Sequence, residues 1–423
     1  MSDLLITGAD LAGAGRGNLL IRDGHFVDVS DLRGDATRVD ADGLIALPGL
    51  VDLHTHLREP GREDAETVSS GTAAAARGGF TAVLALANTK PVTDTAEAAE
   101  HVAALGARDG LAQVVPVGAV SKGLAGGELA ELGLMARSRA DVRVFSDDGH
   151  CVADARLMRR ALEYVRAFDG VIAQHAQDPQ LAGAQACCHE GEVSGRLGLP
   201  GWPSVAESTI VARDVQLAEL TRSRLHVCHV STAETVDVLR WAKARGIDVT
   251  AEVAPHHLLL TTAEVAGYDP TFKVNPPLRP DEHVAAVREA LADGTIDAVA
   301  TDHAPHARHD KEHAFTEAAF GMLGLETALA VVLETMVRTE RLGWREVALR
   351  TSATPARIAR LSGQGRPLAV GEPANVTLVD PSARAVVDRA ASASLSRNNP
   401  WHGRDLPDPV VATVWAGRVT YQR

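Results

Sequence analysis

Eight short apolar runs recur along the middle of this chain, at 49–54, 80–87, 112–120, 142–145, 170–174, 224–230, 248–254 and 296–301. They are rich in Val, Ile, Leu and Ala and show little polar alternation, the pattern of strands covered on both faces. Between them, 65–77, 95–105, 153–167, 204–220 and 232–244 carry helical periodicity. Eight strands alternating with helices predict an α/β fold, a (β/α)8 or TIM barrel. The full 423 residues exceed one average core and leave room for a smaller unit. The flanks read differently, as short strands between turns, at 4–7, 18–21, 25–29 and 37–40, and again at 375–379 and 410–415. The expectation is a small β-sandwich domain built from both ends, with residues 1–47 as its N-terminal part, 48–361 as the barrel and 362–423 as its C-terminal part.

Bulk charge narrows the partners. A net charge of −13 repels nucleic acid and anionic membrane, so a small anionic substrate would need its own local cations. No apolar run reaches 18 residues, so no membrane span is expected, and the first residues lack the basic-then-apolar order of a secretory signal. The four cysteines, Cys151, Cys187, Cys188 and Cys228, have no C-x-x-C spacing and fit neither a zinc knuckle nor a disulfide framework, which makes the cytoplasm the simplest compartment. Nucleotide-binding and nucleophile motifs are missing: 13–17 breaks the G-x-G-x-x-G spacing, and no P-loop, H-E-x-x-H or G-x-S-x-G occurs.

In such a barrel, chemistry sits at the C-terminal ends of the strands. The first strand ends in His54 and His56, which alternation places on one face, followed by Arg58. The fourth ends in Ser-Asp-Asp-Gly at 146–149, the fifth in His175, the sixth in His226 and His229, and the eighth in Asp302, His303 and His306. Five strands thus deliver His or Asp to one rim, which a random scatter of 17 histidines would seldom do. The candidate metal ligands are His54, His56, Asp148, His175, His229 and Asp302. Six exceed the need of one zinc ion and suit two ions sharing a carboxylate. Either Asp147 or Asp148 fits the bridging position by spacing, the other being left to a turn. His226 shares a face with Cys228 and reads as packed behind the ligands, His256, His257 and His303 as orienting groups, and His25, His101, His189 and His283 as surface residues. Arg58 beside the cluster points to a carboxylate-bearing substrate. The charged stretch 307–315 reads as a flap closing on substrate, with a solvated loop as the alternative.

These residues resemble the class I dihydroorotases of the amidohydrolase superfamily. The matching segments are Asp-Leu-His-Thr-His-Leu-Arg-Glu-Pro-Gly at 52–61, Ala-Asn-Thr at 87–89, Phe-Ser-Asp-Asp-Gly at 145–149, His-Val-Cys-His-Val-Ser-Thr at 226–232, Ala-Pro-His-His at 254–257, Lys-Val-Asn-Pro-Pro-Leu-Arg at 273–279, Ala-Thr-Asp-His-Ala-Pro-His at 300–306 and Gly-Leu-Glu-Thr at 324–327. The resemblance implies reversible hydrolysis of L-dihydroorotate to N-carbamoyl-L-aspartate in pyrimidine synthesis, with two Zn2+ ions per subunit. It assigns His54 and His56 to one zinc, His175 and His229 to the other, Asp148 to the bridge, and Asp302 to the metal site and to the catalytic base. It places Arg58, Asn88 and His306 on the substrate carboxylate, and Asn275, Phe320 and Gly321 on the ring. A homodimer and a complex with aspartate transcarbamoylase are the macromolecular partners it brings to mind. The chain departs from the family pattern at Leu86-Ala87, at Ala176-Gln177 after His175, and at His150. The rival readings are a hydantoinase or allantoinase, whose relatives bridge their metals with a carboxylated lysine, and a catalytically silent scaffold for a transcarbamoylase. Between Asp109 and Asp178 the only lysine is Lys122, and all the metal histidines are kept.

Overall fold

The structure, a computed structural model, describes residues 3–423. Eight parallel strands form the barrel: Leu50–Thr55, Phe80–Ala85, Gln113–Pro116, Val144–Phe145, Val171–Gln174, Arg224–Val227, Val249–Val253 and Ala298–Val299. The first three strands pair in chain order, and so do the last five. Parallel bridges from Gly118 to Phe145 and from Thr55 to His303 close the ring. Every expected strand is present; the first is shifted by one residue and the others are shorter, because the runs read from sequence include apolar residues that lie beyond the ladder.

The strands form where both faces can be buried. One set of side chains, including Leu84, Val117, Val144, Ala173 and Ala298, fills the barrel interior. Another set, including Val83, Leu225, Val227, Ala251 and Val253, packs under the outer helices against Val68, Val215, Val236 and Val287. The helices Val68–Arg77, Ala96–Asp109, Ala155–Val165 and Ala233–Ala244 each start at a capping side chain, from Thr67, Thr95, Asp154 and Thr232. Each cap satisfies a backbone N–H that the helix leaves open.

The two ends of the chain meet in one eight-stranded sheet. Its order runs Arg418–Gln422, Val410–Trp415, Val376–Val379, Ile45–Pro48, Leu4–Leu11, Arg16–Arg22, His25–Val27, with Thr37–Asp40 alongside Leu4–Leu11. The join is the antiparallel pairing of Val376–Val379 with Ile45–Pro48, immediately before the first barrel strand. Between Val376–Val379 and Val410–Trp415 the chain returns to the barrel. Trp401 is buried there, Ser396 Oγ donates to Ala65 O at 2.7 Å, and Asn398 Nδ2 donates to Ala304 O at 2.9 Å. The C-terminal segment therefore supplies part of the rim. No helix among the described residues is long and apolar enough to cross a membrane.

Asp52 ties the first strand to the eighth. Its carboxylate accepts from Thr301 N at 2.7 Å, from Thr301 Oγ1 at 2.6 Å and from Thr55 Oγ1. Asp52→Ala strands these buried donors, each at about 1–3 kcal/mol. The expected outcome is a clearly lowered urea midpoint; an unchanged midpoint would dissociate barrel closure from this contact.

Candidate active site

Asp148 stands at the centre of the rim, with one oxygen toward each of two imidazole pairs. Its Oδ2 is 3.2 Å from His54 Nε2 and 3.5 Å from His56 Nε2. Its Oδ1 is 3.1 Å from both His175 Nδ1 and His229 Nε2. Asp302 Oδ1 joins the first pair, 3.4 Å from His56 Nε2 and 3.6 Å from His54 Nε2. All six side chains are buried. The first-strand ladder shifts register between Asp52 and Thr55, and local irregularities of this kind re-aim side chains at barrel rims. His54 and His56 both turn toward Asp148 Oδ2, as residues on one face of the strand end. His229 and Asp302 have φ of 30° and 46°, and Arg58 has 62°. Non-glycine residues held in this region cost about 1–3 kcal/mol each, and such strain concentrates at functional sites.

The donor set fits divalent metal. His54 Nε2 is buried with no hydrogen-bond partner. His175 Nδ1 and His229 Nε2 face each other at 2.9 Å. Ligand atoms on a tetrahedral ion at about 2.1 Å stand roughly 3.4 Å apart, close to the spacings of both groups. Two three-residue groups, His54 with His56 and Asp148, and Asp148 with His175 and His229, share the one carboxylate.

The outer nitrogens are held from behind. His54 Nδ1 lies 2.9 Å from Glu252 Oε1, whose other oxygen is 3.0 Å from His226 Nε2. His56 Nδ1 lies 2.9 Å from Asn88 Oδ1. His175 Nε2 lies 3.1 Å from Gln177 Oε1, which also accepts from Asn275 Nδ2 at 2.7 Å. Each partner is an acceptor, so each ring keeps its proton outside and turns a lone pair inward. Burial would raise the Glu252 carboxyl, but hydrogen bonds from His226 and His54 pull it down to about 2. Burial likewise opposes charge on Asp148, but the imidazoles around it override this and hold its carboxyl well below the ordinary value.

A cationic wall flanks the cluster. Arg58 Nε donates to Pro305 O at 2.9 Å, and its Nη2 is 3.3 Å from His306 Nε2. Among the described residues no carboxylate lies within 4.0 Å of the Arg58 guanidinium. Burial, then the charge of Arg62, lowers its pKa to about 10, so it stays charged at neutrality. His306 Nε2 is 2.6 Å from Phe320 O, which makes that nitrogen the protonated one; burial, then Arg58, pulls this ring down to about 2 and keeps it neutral. Gly321 follows with φ of 134°, and a Cβ there would lie 2.7 Å from Ala304 Cβ and 2.9 Å from His306 Nε2.

The neighbouring aspartates point to different places, and only Asp148 stands between the imidazole pairs. Asp147 accepts from Val120 N at 2.8 Å, Ser121 N at 2.9 Å and Ser121 Oγ, so it caps the loop after the third strand. His303 orients the Glu66 and Gly324 backbone region, with Nε2 3.3 Å from Glu66 Oε2 and Nδ1 accepting from Gly324 N at 3.2 Å. His257 Nε2 faces Pro276 O at 3.2 Å. His25 and His101 are exposed. His283 and His189 are not surface groups as expected: His283 is buried, with Nδ1 accepting from Ala233 N, and His189 is half-buried against Arg279. Segment 307–315 carries the short helix Arg308–Lys311, with Lys311 and Phe315 buried and most of the other side chains open to solvent. Sequence reasoning passed over Glu252, Asp52 and Glu66. The signal available for Glu252 was an acid inside the apolar run Val249–Val253, since a buried acid needs a partner.

The comparisons with known proteins agree with this geometry. The solved L-hydantoinase (dihydropyrimidinase) from Arthrobacter aurescens superposes with a TM-score of 0.86 at 24% identity, over 100% of this chain and 96% of that one, and so shares the fold. A family model described as dihydro-orotase-like matches residues 43–235. A dihydroorotase from Streptomyces coelicolor is 58% identical over 424 residues, covering 99% of this chain and 98% of its own length. One from Leifsonia xyli subsp. xyli is 60% identical over 425 residues, covering 99% and 97%. Fold and site define a metal-dependent hydrolase of the amidohydrolase superfamily, acting on a cyclic amide. Within that superfamily the chain belongs to the dihydroorotase family.

Asp148→Ala is expected to lose most bound metal by elemental analysis, whereas Asp147→Ala keeps it; equal metal content in both would refute a shared carboxylate. Because protons compete for the same lone pairs, metal affinity should fall as pH drops below neutrality. Chelator competition across pH 5 to 8 reads this, and a flat profile would argue against histidine ligation.

Proposed function

We propose that this protein catalyses the reversible hydrolysis of L-dihydroorotate to N-carbamoyl-L-aspartate, the ring-opening and ring-closing step of pyrimidine synthesis, using two zinc ions. The observation that carries the substrate is Arg58: a charged guanidinium without a carboxylate partner, set beside the His–Asp cluster. A planar cation in that position favours an anionic ligand, at about 1.5–3 kcal/mol per charge-assisted hydrogen bond. The ring carboxylate of dihydroorotate supplies that anion.

When bound, the ions lower the pKa of water from 15.7 to about 7 and polarise the amide carbonyl. His54 and His56 would hold one ion, His175 and His229 the other, and Asp148 both. Arg58 grips the substrate carboxylate and so fixes the scissile bond over Asp148 and Asp302. Asn88, and His306 by turning its Nε2–H from Phe320 O to the substrate, are proposed to complete the carboxylate side, and Asn275, Phe320 and Gly321 the ring side. Asp302 accepts the proton of the attacking water on its carboxylate. It returns that proton to the ring nitrogen as the C–N bond breaks, so nitrogen leaves as the neutral NH2 of the carbamoyl group rather than as an anion. In ring closure the same carboxylate takes the proton back. Burial would raise Asp302, but the hydrogen bond to His56 and the nearby imidazole charges keep it below its ordinary value, in the form that accepts a proton.

Two further features support this reading over its rivals. Lys122 lies exposed on the surface, 3.2 Å from Glu128, and so leaves no lysine near Asp148 to serve as a bridge. The complete donor set speaks against a silent scaffold. The domain division at 47/48 and 361/362 is proposed on the contrast between the short-strand flanks and the alternating middle of the chain. The proposed homodimer and aspartate transcarbamoylase contact rest on the family resemblance, and the cytoplasmic setting on the four cysteines that fit no disulfide framework.

Arg58→Met is expected to raise KM for dihydroorotate by about tenfold or more while bound zinc stays unchanged. Steady-state kinetics with metal analysis reads this. Unchanged KM, or equal turnover of an uncharged hydantoin by the unmodified protein, would sink the proposal. Removal of zinc by a chelator should abolish turnover, and added zinc should restore it.

A further inference from the structure

Lys311 is buried, 7% exposed, in the charged stretch that follows the eighth strand. Lysine is almost never buried without a pairing group, yet among the described residues no carboxylate lies within 4.0 Å of its Nζ. Its partners are three backbone carbonyls: Ala319 O at 2.8 Å, Gly321 O at 3.0 Å and Lys273 O at 3.3 Å. An ammonium has three N–H donors, and all three are used. Burial, then the charge of Lys273, lowers its pKa to about 7. A methionine would fill the same volume without the desolvation cost, so packing alone does not account for a cation here.

What the three carbonyls share is their place. Lys273 O also accepts from Gly321 N at 2.9 Å, and Gly321 O also accepts from Asn398 Nδ2 at 3.1 Å. Phe320, between two of the tied residues, accepts from His306 through its carbonyl. Lys273 holds the loop from its other side, with Nζ donating to Thr316 O at 3.0 Å and lying 4.3 Å from the centre of the Phe320 ring. Gly321 packs so closely on Ala304 and His306 that a shift of this backbone moves His306, and with it the wall beside Arg58.

We propose that Lys311 is a positioning residue for substrate binding: its ammonium knots the backbone of 273, 319 and 321 together and so sets the 320–321 wall against His306 and Arg58. The proposal rests on the substrate reading above for its kinetic arm. Lys311 touches no reacting atom, so its removal acts through the pocket's shape.

The test uses full-length, zinc-loaded Lys311→Met and Lys311→Arg. In Lys311→Met, KM for dihydroorotate should rise about tenfold while kcat stays within about threefold. Metal content should be unchanged, and amide hydrogen exchange should quicken at 319–322 but not in the barrel strands. Lys311→Arg, which keeps a cation with donors, should recover part of both effects. A KM within about twofold of the unmodified value, or unaltered exchange at 319–322, overturns the proposal. So does loss of protection throughout the barrel in both variants, which would assign Lys311 to the core. If the unmodified protein fails to turn over dihydroorotate, the substrate reading falls, while the exchange arm still reads the backbone knot without any substrate.

Discussion

Everything in this structure is arranged around one carboxylate. Asp148 presents one oxygen to His54 and His56 and the other to His175 and His229, and these five residues come from four different strands. Only a closed barrel brings four strand ends to within a few ångströms of one point. Closure in turn depends on buried polar ties that an apolar core does not require. Asp52 fastens the first strand to Thr301 on the eighth, and Glu252 fastens His54 to His226 across the interior. The barrel holds the cluster, and part of the cluster's own scaffolding holds the barrel.

Charge is distributed with the same economy. The molecule is acidic overall, and its surface arginines are mostly paired, as Arg139 with Glu100 and Arg366 with Glu372. Among the described residues, three cations without a carboxylate partner lie on one side of the pocket. Arg58, Lys273 and Lys311 meet backbone carbonyls or an aromatic ring instead of carboxylates. Uncompensated cations beside a cluster that polarises an amide favour an anionic cyclic substrate over an uncharged one. This local contrast separates the dihydroorotase reading from the hydantoinase fold that the chain shares.

Much of the fold was legible in the linear chain because parallel strands buried on both faces leave near-continuous apolar runs, such as 80–87 and 248–254. The cluster of His and Asp side chains was legible for a related reason: a residue placed just after an apolar run falls on the C-terminal rim of the barrel. The supporting residues were harder to see. Glu252 looks like a stray acid within a strand until His54 and His226 are found on either side of it. His283 and Lys311 look like surface groups because their partners, the Ala233 amide and the carbonyls of 273, 319 and 321, are backbone atoms that carry no residue-specific signal.

By itself, then, the order of amino acids determined the barrel, the six metal-type side chains and the unpaired arginine, since these follow from burial periodicity and from side-chain chemistry at strand ends. Tertiary structure alone decided which of two adjacent aspartates stands between the imidazole pairs. It also decided which nitrogen of each ring faces inward, and that the charged stretch after the eighth strand is tied down through Lys311. The physical reason is that hydrogen-bond direction depends on the three-dimensional position of acceptors, and those acceptors come from residues up to 198 positions apart in the chain, as between His54 and Glu252.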